Sequence, residues 1–432
     1  MNSTRLHMLL ASLFAAGSCS AWAAGETSAA DAIPAASEAV RNPSNVFSGA
    51  TDYEASGVPV AAMRQIRPLR VTDGINVFAD TGLNMGYDSN VTQGRTGFEV
   101  SSMFFRVTPT VTAETLYRAN RYDLSYKGDY VRYPSYNPNS LMQNDLIFEA
   151  AHGMTTRTTL KWGASVGDHY DPIGSTDRSI SNTEADHYRS WAANGTFAYG
   201  AEEAKGRLEL DAAVGGKRYL NNRATTESAD VANTNLGARF FYRVAPKTRL
   251  LTEYRRTTYS YDHDTDQLDN TDMRYLVGAT WDATSAITGA AKLGLQQKNY
   301  KESSRKDFTG TTWEASVRWK PLTYTSFDLI TGRSASDPSG TTGMPVAKNL
   351  MLSWNHDWRS YFHSKISAGR MRTNFRDENR KDVQDVYSVG MMYDLRRWLG
   401  VGLEYSFSNR DSTVDTYDYV RRLSMVKLEA SF

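Results

Sequence analysis

The sequence predicts an all-β chain: a transmembrane antiparallel up-and-down β-barrel of about 18 strands, of the outer-membrane type. Three observations carry this. The last fifteen residues, Asp418 to Phe432, alternate with period two and end on an aromatic. Val420, Ser424, Val426, Leu428, Ala430 and Phe432 share one face, and Arg421, Met425, Lys427, Glu429 and Ser431 the other. The same alternating unit recurs back to about residue 71, with connections that switch between long polar loops and short turns. Finally, mean hydropathy is −0.52 although the chain holds 25 Tyr, 16 Phe and 9 Trp. A polar average with many aromatics suits a barrel that shows lipid only every second residue.

The 432 residues would otherwise suffice for two or three ordinary domains. Beyond residue 24 no apolar run approaches the roughly 18 residues of a transmembrane helix. A net charge of +1 gives no reason to expect a nucleic-acid partner.

Residues 1–23 read as a secretory signal: Arg5 and His7, an apolar core from Met8 to Gly17, then Ala21-Trp22-Ala23 as an A-x-A cleavage site. Cys19 could instead be a lipoprotein cysteine, but Ala16-Gly17-Ser18 lacks the usual aliphatic residue. Cleavage after Ala23 removes the only cysteine, and with it disulfide or thiol chemistry. Residues 24–70, rich in Ala, Ser, Pro and Glu, read as a mobile periplasmic leader. A short helix over Ala29–Val40, plugging the pore or touching a partner, is the alternative.

The barrel is assigned to 71–432. Its first strand, about 75–87, puts Ile75, Val77, Ala79, Leu83, Met85 and Tyr87 outward. Its second, about 101–116, shows Met103, Phe105, Val107 and Val111, and its third Tyr122, Leu124, Tyr126 and Tyr130. Apolar alternation then marks each later strand, through Leu399/Val401/Leu403/Tyr405/Phe407 to the carboxy-terminal strand. Long connections are expected near 88–98, 134–141, 170–186, 221–231, 262–271, 301–310, 335–346, 376–383 and 410–417. Pro246 and Pro321 are placed in turns, and Pro109, inside the second strand, implies a bulge or kink. Tyr117, Tyr199, Trp281, Trp319, Trp358 and Trp398 at strand ends fit an interface girdle towards membrane lipid. A soluble propeller would repeat four-stranded blade motifs, and none occurs.

Alternation also assigns the lumen. Its basic candidates for a substrate path are Arg106, Arg121, Arg157, Lys161, Arg239, Arg243, Arg249, Arg255, Arg274, Lys292 and Arg318. Acidic candidates include Glu114, Asp123, Asp129, Glu209, Asp211, Glu253, Glu314, Asp328 and Glu404. Such charges either pair across neighbouring strands and stiffen a wet interior, or their basic excess forms a path for an anionic polymer. Phe104, Tyr219 and Phe241 are lumenal aromatics that either stack on sugar rings or fill space.

Two features carry resemblances. The final alternating segment with Val426, Leu428, Ala430 and Phe432 resembles the signal read by the barrel-assembly machinery. Asn84-Met85-Gly86-Tyr87-Asp88-Ser89-Asn90-Val91, followed by Arg106-Val107-Thr108-Pro109 and the Tyr-rich Tyr122-Asp123-Leu124-Ser125-Tyr126, resembles the opening of the β-barrel porin type 2 family. Members are often encoded among exopolysaccharide biosynthesis genes. The resemblance implies an outer-membrane pore that helps a polysaccharide leave the cell, with a periplasmic export partner. A general or sugar-selective diffusion porin is the alternative.

Chemistry is not expected. Gly163-Ala164-Ser165-Val166-Gly167 matches the G-x-S-x-G pattern, with His169 near, but Trp162, Ala164 and Val166 alternate straight through it, whereas a nucleophile elbow needs a sharp turn. Asp262-His263-Asp264-Thr265-Asp266 opens like a calcium loop, yet Gln267 and Met273 replace the required Gly and Glu. Neither a metal nor a cofactor is predicted.

Overall fold

A computed structural model describes residues 69–72, 74–175, 182–201, 203–263, 267–284, 286–337, 343–376 and 378–431. The expected signal peptide, nearly all of the leader, its possible helix and the terminal Phe432 lie outside the described residues. Eighteen long strands run in chain order: β1 (Ile75–Asp88), β2 (Ser102–Tyr117), β3 (Asn120–Arg132), β4 (Leu141–Gly153), β5 (Thr158–Asp171) and β6 (Asp186–Tyr199). Then follow β7 (Gly206–Tyr219), β8 (Val231–Ala245), β9 (Thr248–Tyr261), β10 (Asn270–Thr284), β11 (Ile287–Tyr300) and β12 (Phe308–Leu322). The circuit ends with β13 (Thr325–Ala335), β14 (Met344–Arg359), β15 (Phe362–Arg376), β16 (Arg380–Arg396), β17 (Leu399–Ser412) and β18 (Tyr419–Ser431). Each pairs antiparallel with the next, and β18 returns to β1 from Leu423↔Asp88 to Ser431↔Asp80. The sheet is thus closed as an 18-stranded barrel.

The alternation reads out as expected. On β1 and β2, Leu83, Met85, Tyr87, Met103 and Phe105 are exposed on the outer face, while Asp88, Ser102 and Phe104 between them are buried. Val426 is exposed outward on β18, and Leu428 and Ala430 follow on the same face. Exposed Tyr117, Tyr199, Trp319, Trp358 and Trp398 ring the end that carries the short turns. A barrel of backbone-satisfied strands with an apolar exterior is the only sheet architecture a bilayer accepts. Among the described residues no helix is long and apolar enough to cross a membrane.

Several local features differ from expectation. A four-residue strand, Leu69–Thr72, pairs with the start of β1 (Leu69↔Val77), so strand structure begins just inside the expected leader. It covers the part of the β1 edge that β18, ending opposite Asp80, leaves unpaired. Pro109 produces no bulge: β2 and β3 keep one register on both sides of it (Val107↔Tyr130, Thr110↔Lys127), and the ladder is merely interrupted. Gly128 lies against it; a Cβ there would stand 3.0 Å from Pro109 Cγ and 2.7 Å from the Tyr130 hydroxyl. Pro321 lies within β12, in a register shift between Trp319 and Leu322, where its missing N–H costs no ladder bond. The expected loop 376–383 shrinks to residues 377–379 because β15 and β16 extend further.

The outer loops share a device not visible as periodicity. The last residue of a strand donates its N–H to the carboxylate of the residue immediately before the next strand. Tyr219 N donates to Asp230 (2.7 Å), Tyr261 N to Asp269 (2.7 Å), Tyr300 N to Asp307 (2.9 Å) and Ser412 N to Asp418 (2.7 Å). In a related contact the Ser140 hydroxyl, just before β4, accepts from the N–H of Tyr133, one residue past the end of β3, at 2.9 Å. Each clamp satisfies the amide left over where the ladder stops and fixes where the loop re-enters the wall.

Candidate functional site

The candidate site is the inward face of the wall. On β8 to β12, long charged side chains lie along it in a continuous network. Glu314, fully buried on β12, takes Lys292 Nζ at 2.6 Å, Arg255 at 3.1 Å and Arg274 at 3.7 Å. Glu253 takes Arg255 at 2.5 Å and Lys292 at 2.9 Å. Arg239 sits between Glu209 (3.0 Å) and Asp211 (2.7 Å), and Arg274 also meets Asp272 at 3.3 Å. Register explains the contacts, since Arg239 is directly opposite both Glu209 and Glu253, and Lys292 is opposite Glu314.

The other predicted lumenal cations follow the same rule. Arg106 pairs with Asp129 (2.5 Å), Arg121 with Glu114 (2.9 Å) and Asp123 (2.8 Å), Arg243 with Glu203 (2.7 Å), and Arg318 with Asp328 (2.5 Å). Lys161 and Arg249 stand on the inward face near the short-turn end. Arg157 falls in the turn between β4 and β5, because β5 starts one residue later. At least eight of the eleven predicted cations are therefore held by carboxylates.

Further round the wall the chemistry changes. Ser353, Ser367, Ser388 and Ser406 are direct cross-strand partners, forming one inward row over β14 to β17. The Ser353 and Ser367 hydroxyls are 2.9 Å apart. Small residues, Gly369, Gly390 and Gly402, stand on the same face. On β5 to β7, His169 stacks on Tyr188 at 5.4 Å and Tyr188 packs on Tyr219 at 5.5 Å, with Lys217 Nζ over both Tyr rings. Asp171 accepts from Lys217 (3.1 Å) and the Tyr219 hydroxyl (2.7 Å). Tyr219 and Phe104 are thereby packed rather than presented: Tyr219 lies beneath Lys217, and Phe104 sits in a cluster with Val91, Tyr133, Leu423 and Met425.

The end of β13 and Asp337 just beyond it reach inward. β13 leaves β12 after Arg333↔Trp313, and its end turns over the inward faces of β10 and β11. Gln296 exchanges hydrogen bonds with both the N–H and the carbonyl of Ala335, at 2.8 and 2.9 Å. Asp337 then meets Lys298 at 2.7 Å and accepts from Asn270 at 2.9 Å. Length gave no signal because the reach comes from the parting of two strands.

The Gly86-Tyr87-Asp88-Ser89-Asn90 element sits where the barrel closes. Asp88, fully buried, accepts Arg421 Nη2 at 2.6 Å and Nε at 3.1 Å from β18, and the Asn90 N–H at 2.9 Å. The Asn90 amide donates to Val420 O (3.0 Å) and Gly94 O (2.7 Å), and its carbonyl accepts Gly94 N–H (2.9 Å). Gly86 is required by close approach: a Cβ would fall 2.2 Å from Ser424 O and 2.7 Å from the Phe104 ring. The element is a clasp between the first and last strands.

Residues 77–432 match the family described as Putative beta-barrel porin 2. The chain belongs to this family. It is an outer-membrane, porin-like β-barrel. No curated protein matches the sequence. Among solved structures it is similar to the outer membrane protein OpdK from Pseudomonas aeruginosa, at 14% identity over 82% of this chain and 99% of that chain, TM-score 0.46. It is also similar to the FrpB iron transporter from Neisseria meningitidis (F3-3 variant), at 13% identity, 77% of this chain and 62% of that chain, TM-score 0.43. A bacterial polysaccharide outer membrane secretin matches at 10% identity over 82% and 98%, TM-score 0.37. This chain thus spans less than two thirds of the iron transporter's length.

The G-x-S-x-G segment of this porin-like barrel is straight β5 strand. Ser165 Oγ donates to Ala192 O at 3.4 Å, and His169 engages Asp145 at 3.2 Å. The four-residue separation puts serine and histidine roughly 13 Å apart along the strand. Among the described residues no cluster of His, Cys, Asp or Glu could hold a metal. Asp264 to Asp266 of the calcium-like stretch lie outside the described residues.

Proposed function

We propose that this barrel is a non-catalytic conduit through which an exopolysaccharide crosses the outer membrane, received from a periplasmic partner. Family membership supports a pore, and 18 strands enclose an interior wide enough for an aqueous channel. The observation that carries the reading further is a wall whose long charged side chains neutralise one another, from Arg239 with Glu209 to Lys292 with Glu314. A wall of paired charges exerts no strong field on the cargo, which favours a neutral or weakly charged polymer over a strongly anionic one. The predicted cations then act chiefly as wall stiffeners.

A sugar-selective diffusion porin is the second reading, favoured by the Asp337-tethered hairpin end, which narrows the mouth as a constriction would. A clean deletion separates the two. Loss of extracellular polysaccharide, with polymer trapped in the periplasm and normal sugar uptake, is expected for the conduit. Unchanged polymer with slowed uptake of small sugars would reject it in favour of the porin.

A further inference from the structure

The outer face carries a second charged feature, independent of the lumen. Arg333 on β13, Lys348 on β14 and Arg372 on β15 are direct cross-strand partners (Arg333↔Lys348, Lys348↔Arg372) and all point outward. Three cations in one row repel one another, since like charges directly opposite in a sheet destabilise it. Arg370 is one step below on β15, and exposed Lys381 lies above on β16. Arg370 is held by Asp385 at 2.6 and 2.8 Å, the single carboxylate paired within this group. Arg333 donates to Thr311 Oγ1 at 3.2 Å and to Thr311 O. Lys348, Arg372 and Lys381 have no carboxylate partner among the described residues.

Two other outward cations at this end do have carboxylates, while Arg256 and Arg422 stand singly rather than in a row. Arg189 has Asp168 at 3.4 Å, and Arg218 has Asp230 at 3.9 Å. The row also has a definite height. Towards the short-turn end come exposed Leu350 and Leu352 on β14 directly, and beyond the Arg370–Asp385 pair Ile366 on β15 and Tyr387 on β16, the apolar belt itself. On the loop side the next outward residue of β15 is Asn374. The cations therefore sit where acyl chains give way to headgroups in the leaflet that faces the long loops.

We propose that Arg333, Lys348, Arg372 and Lys381 form a cradle for the phosphate groups of an outer-leaflet glycolipid whose acyl chains lie along Leu350, Leu352 and Ile366. Charge complementarity selects phosphate, because guanidinium and ammonium groups make short charge-assisted bonds to its oxygens. Continuity with the belt selects a lipid over a dissolved anion. The row's self-repulsion is relieved only when the anion is seated.

The test uses the full chain in detergent, titrated with bisphosphorylated lipid A, with the same lipid after dephosphorylation, and with inorganic phosphate alone. Bound lipid is counted by native mass spectrometry. Wild type is expected to retain the phosphorylated lipid at least tenfold better than K348Q/R372Q, while R189Q/R218Q behaves as wild type. Dephosphorylated lipid is expected to show no difference between the proteins. Equal retention of the two lipids, or unchanged retention by K348Q/R372Q, would overturn the proposal. Displacement of the lipid by low-millimolar phosphate would assign the row to a soluble anion and overturn it too. Gel mobility with and without heating reports folding, and R372Q and K348Q alone are read if the double variant does not fold.

Discussion

Replacing Glu314 with Gln tests whether the lumenal network behaves as one unit. Around it, five cations (Arg207, Arg239, Arg255, Arg274, Lys292) face five carboxylates (Glu209, Asp211, Glu253, Asp272, Glu314), so the group is balanced. Glu314 is fully buried and contacts three of those cations, so its removal leaves Lys292 and Arg255 sharing Glu253 alone. Breaking a buried pair from one side costs about 3 kcal/mol or more, roughly a hundredfold in the folding equilibrium. Urea unfolding in lipid vesicles reads the loss. The pairing account demands non-additivity: E314Q/K292M should be less destabilised than the sum of the single variants by about 1 kcal/mol or more. In a planar bilayer, E314Q should also move the reversal potential in a KCl gradient towards chloride, because the wall loses one negative charge. Additive single effects, or an E314Q barrel as stable as wild type, would show that the contacts are incidental and refute the reasoning.

The remaining predictions concern the seam and the mouth. D88N leaves Arg421 without its buried carboxylate and should lower stability by about 3 kcal/mol, seen as a lower temperature for loss of the heat-modifiable folded band. G86V should fail to assemble, since a Cβ at 2.2 Å from Ser424 O cannot coexist with the β1–β18 ladder, and protease sensitivity in isolated membranes would show it. D337A removes the contacts to Lys298 and Asn270 and should raise single-channel conductance by freeing the hairpin end, whereas unchanged conductance would place the constriction elsewhere.

Much of the barrel was legible because period two is imposed by the wall itself. A strand with lipid on one side and a wet interior on the other must alternate, and Leu83/Met85/Tyr87 or Val426/Leu428 declare it locally. The charges were legible as lumenal for the same reason, but not as pairs. Pairing depends on register between strands far apart in sequence: Arg255 reaches Glu314 across two intervening strands. The excess of Arg and Lys therefore suggested an anion path where the fold supplies counter-ions. The serine row was invisible for a similar cause, since Ser353, Ser367, Ser388 and Ser406 become neighbours only when three registers are known. The inward Asp337 depends on where β12 and β13 part, and no local residue pattern announces that.

The family signature and the functional wall are different parts of the molecule, and this limits what the signature can carry. Gly86, Asp88 and Asn90 act on Ser424, Arg421 and Val420, so their work is the closure between first and last strands. A barrel that closes correctly is needed by an exporter and a diffusion porin alike. Under the proposed conduit reading, cargo preference would instead be set by inward residues such as those of β8 to β12, where one substitution in a charged pair shifts the local field without disturbing the seam. Two barrels can thus share the clasp and carry different solutes. The discriminating measurements belong at Glu314 and Asp337, not at the motif that reveals the kinship.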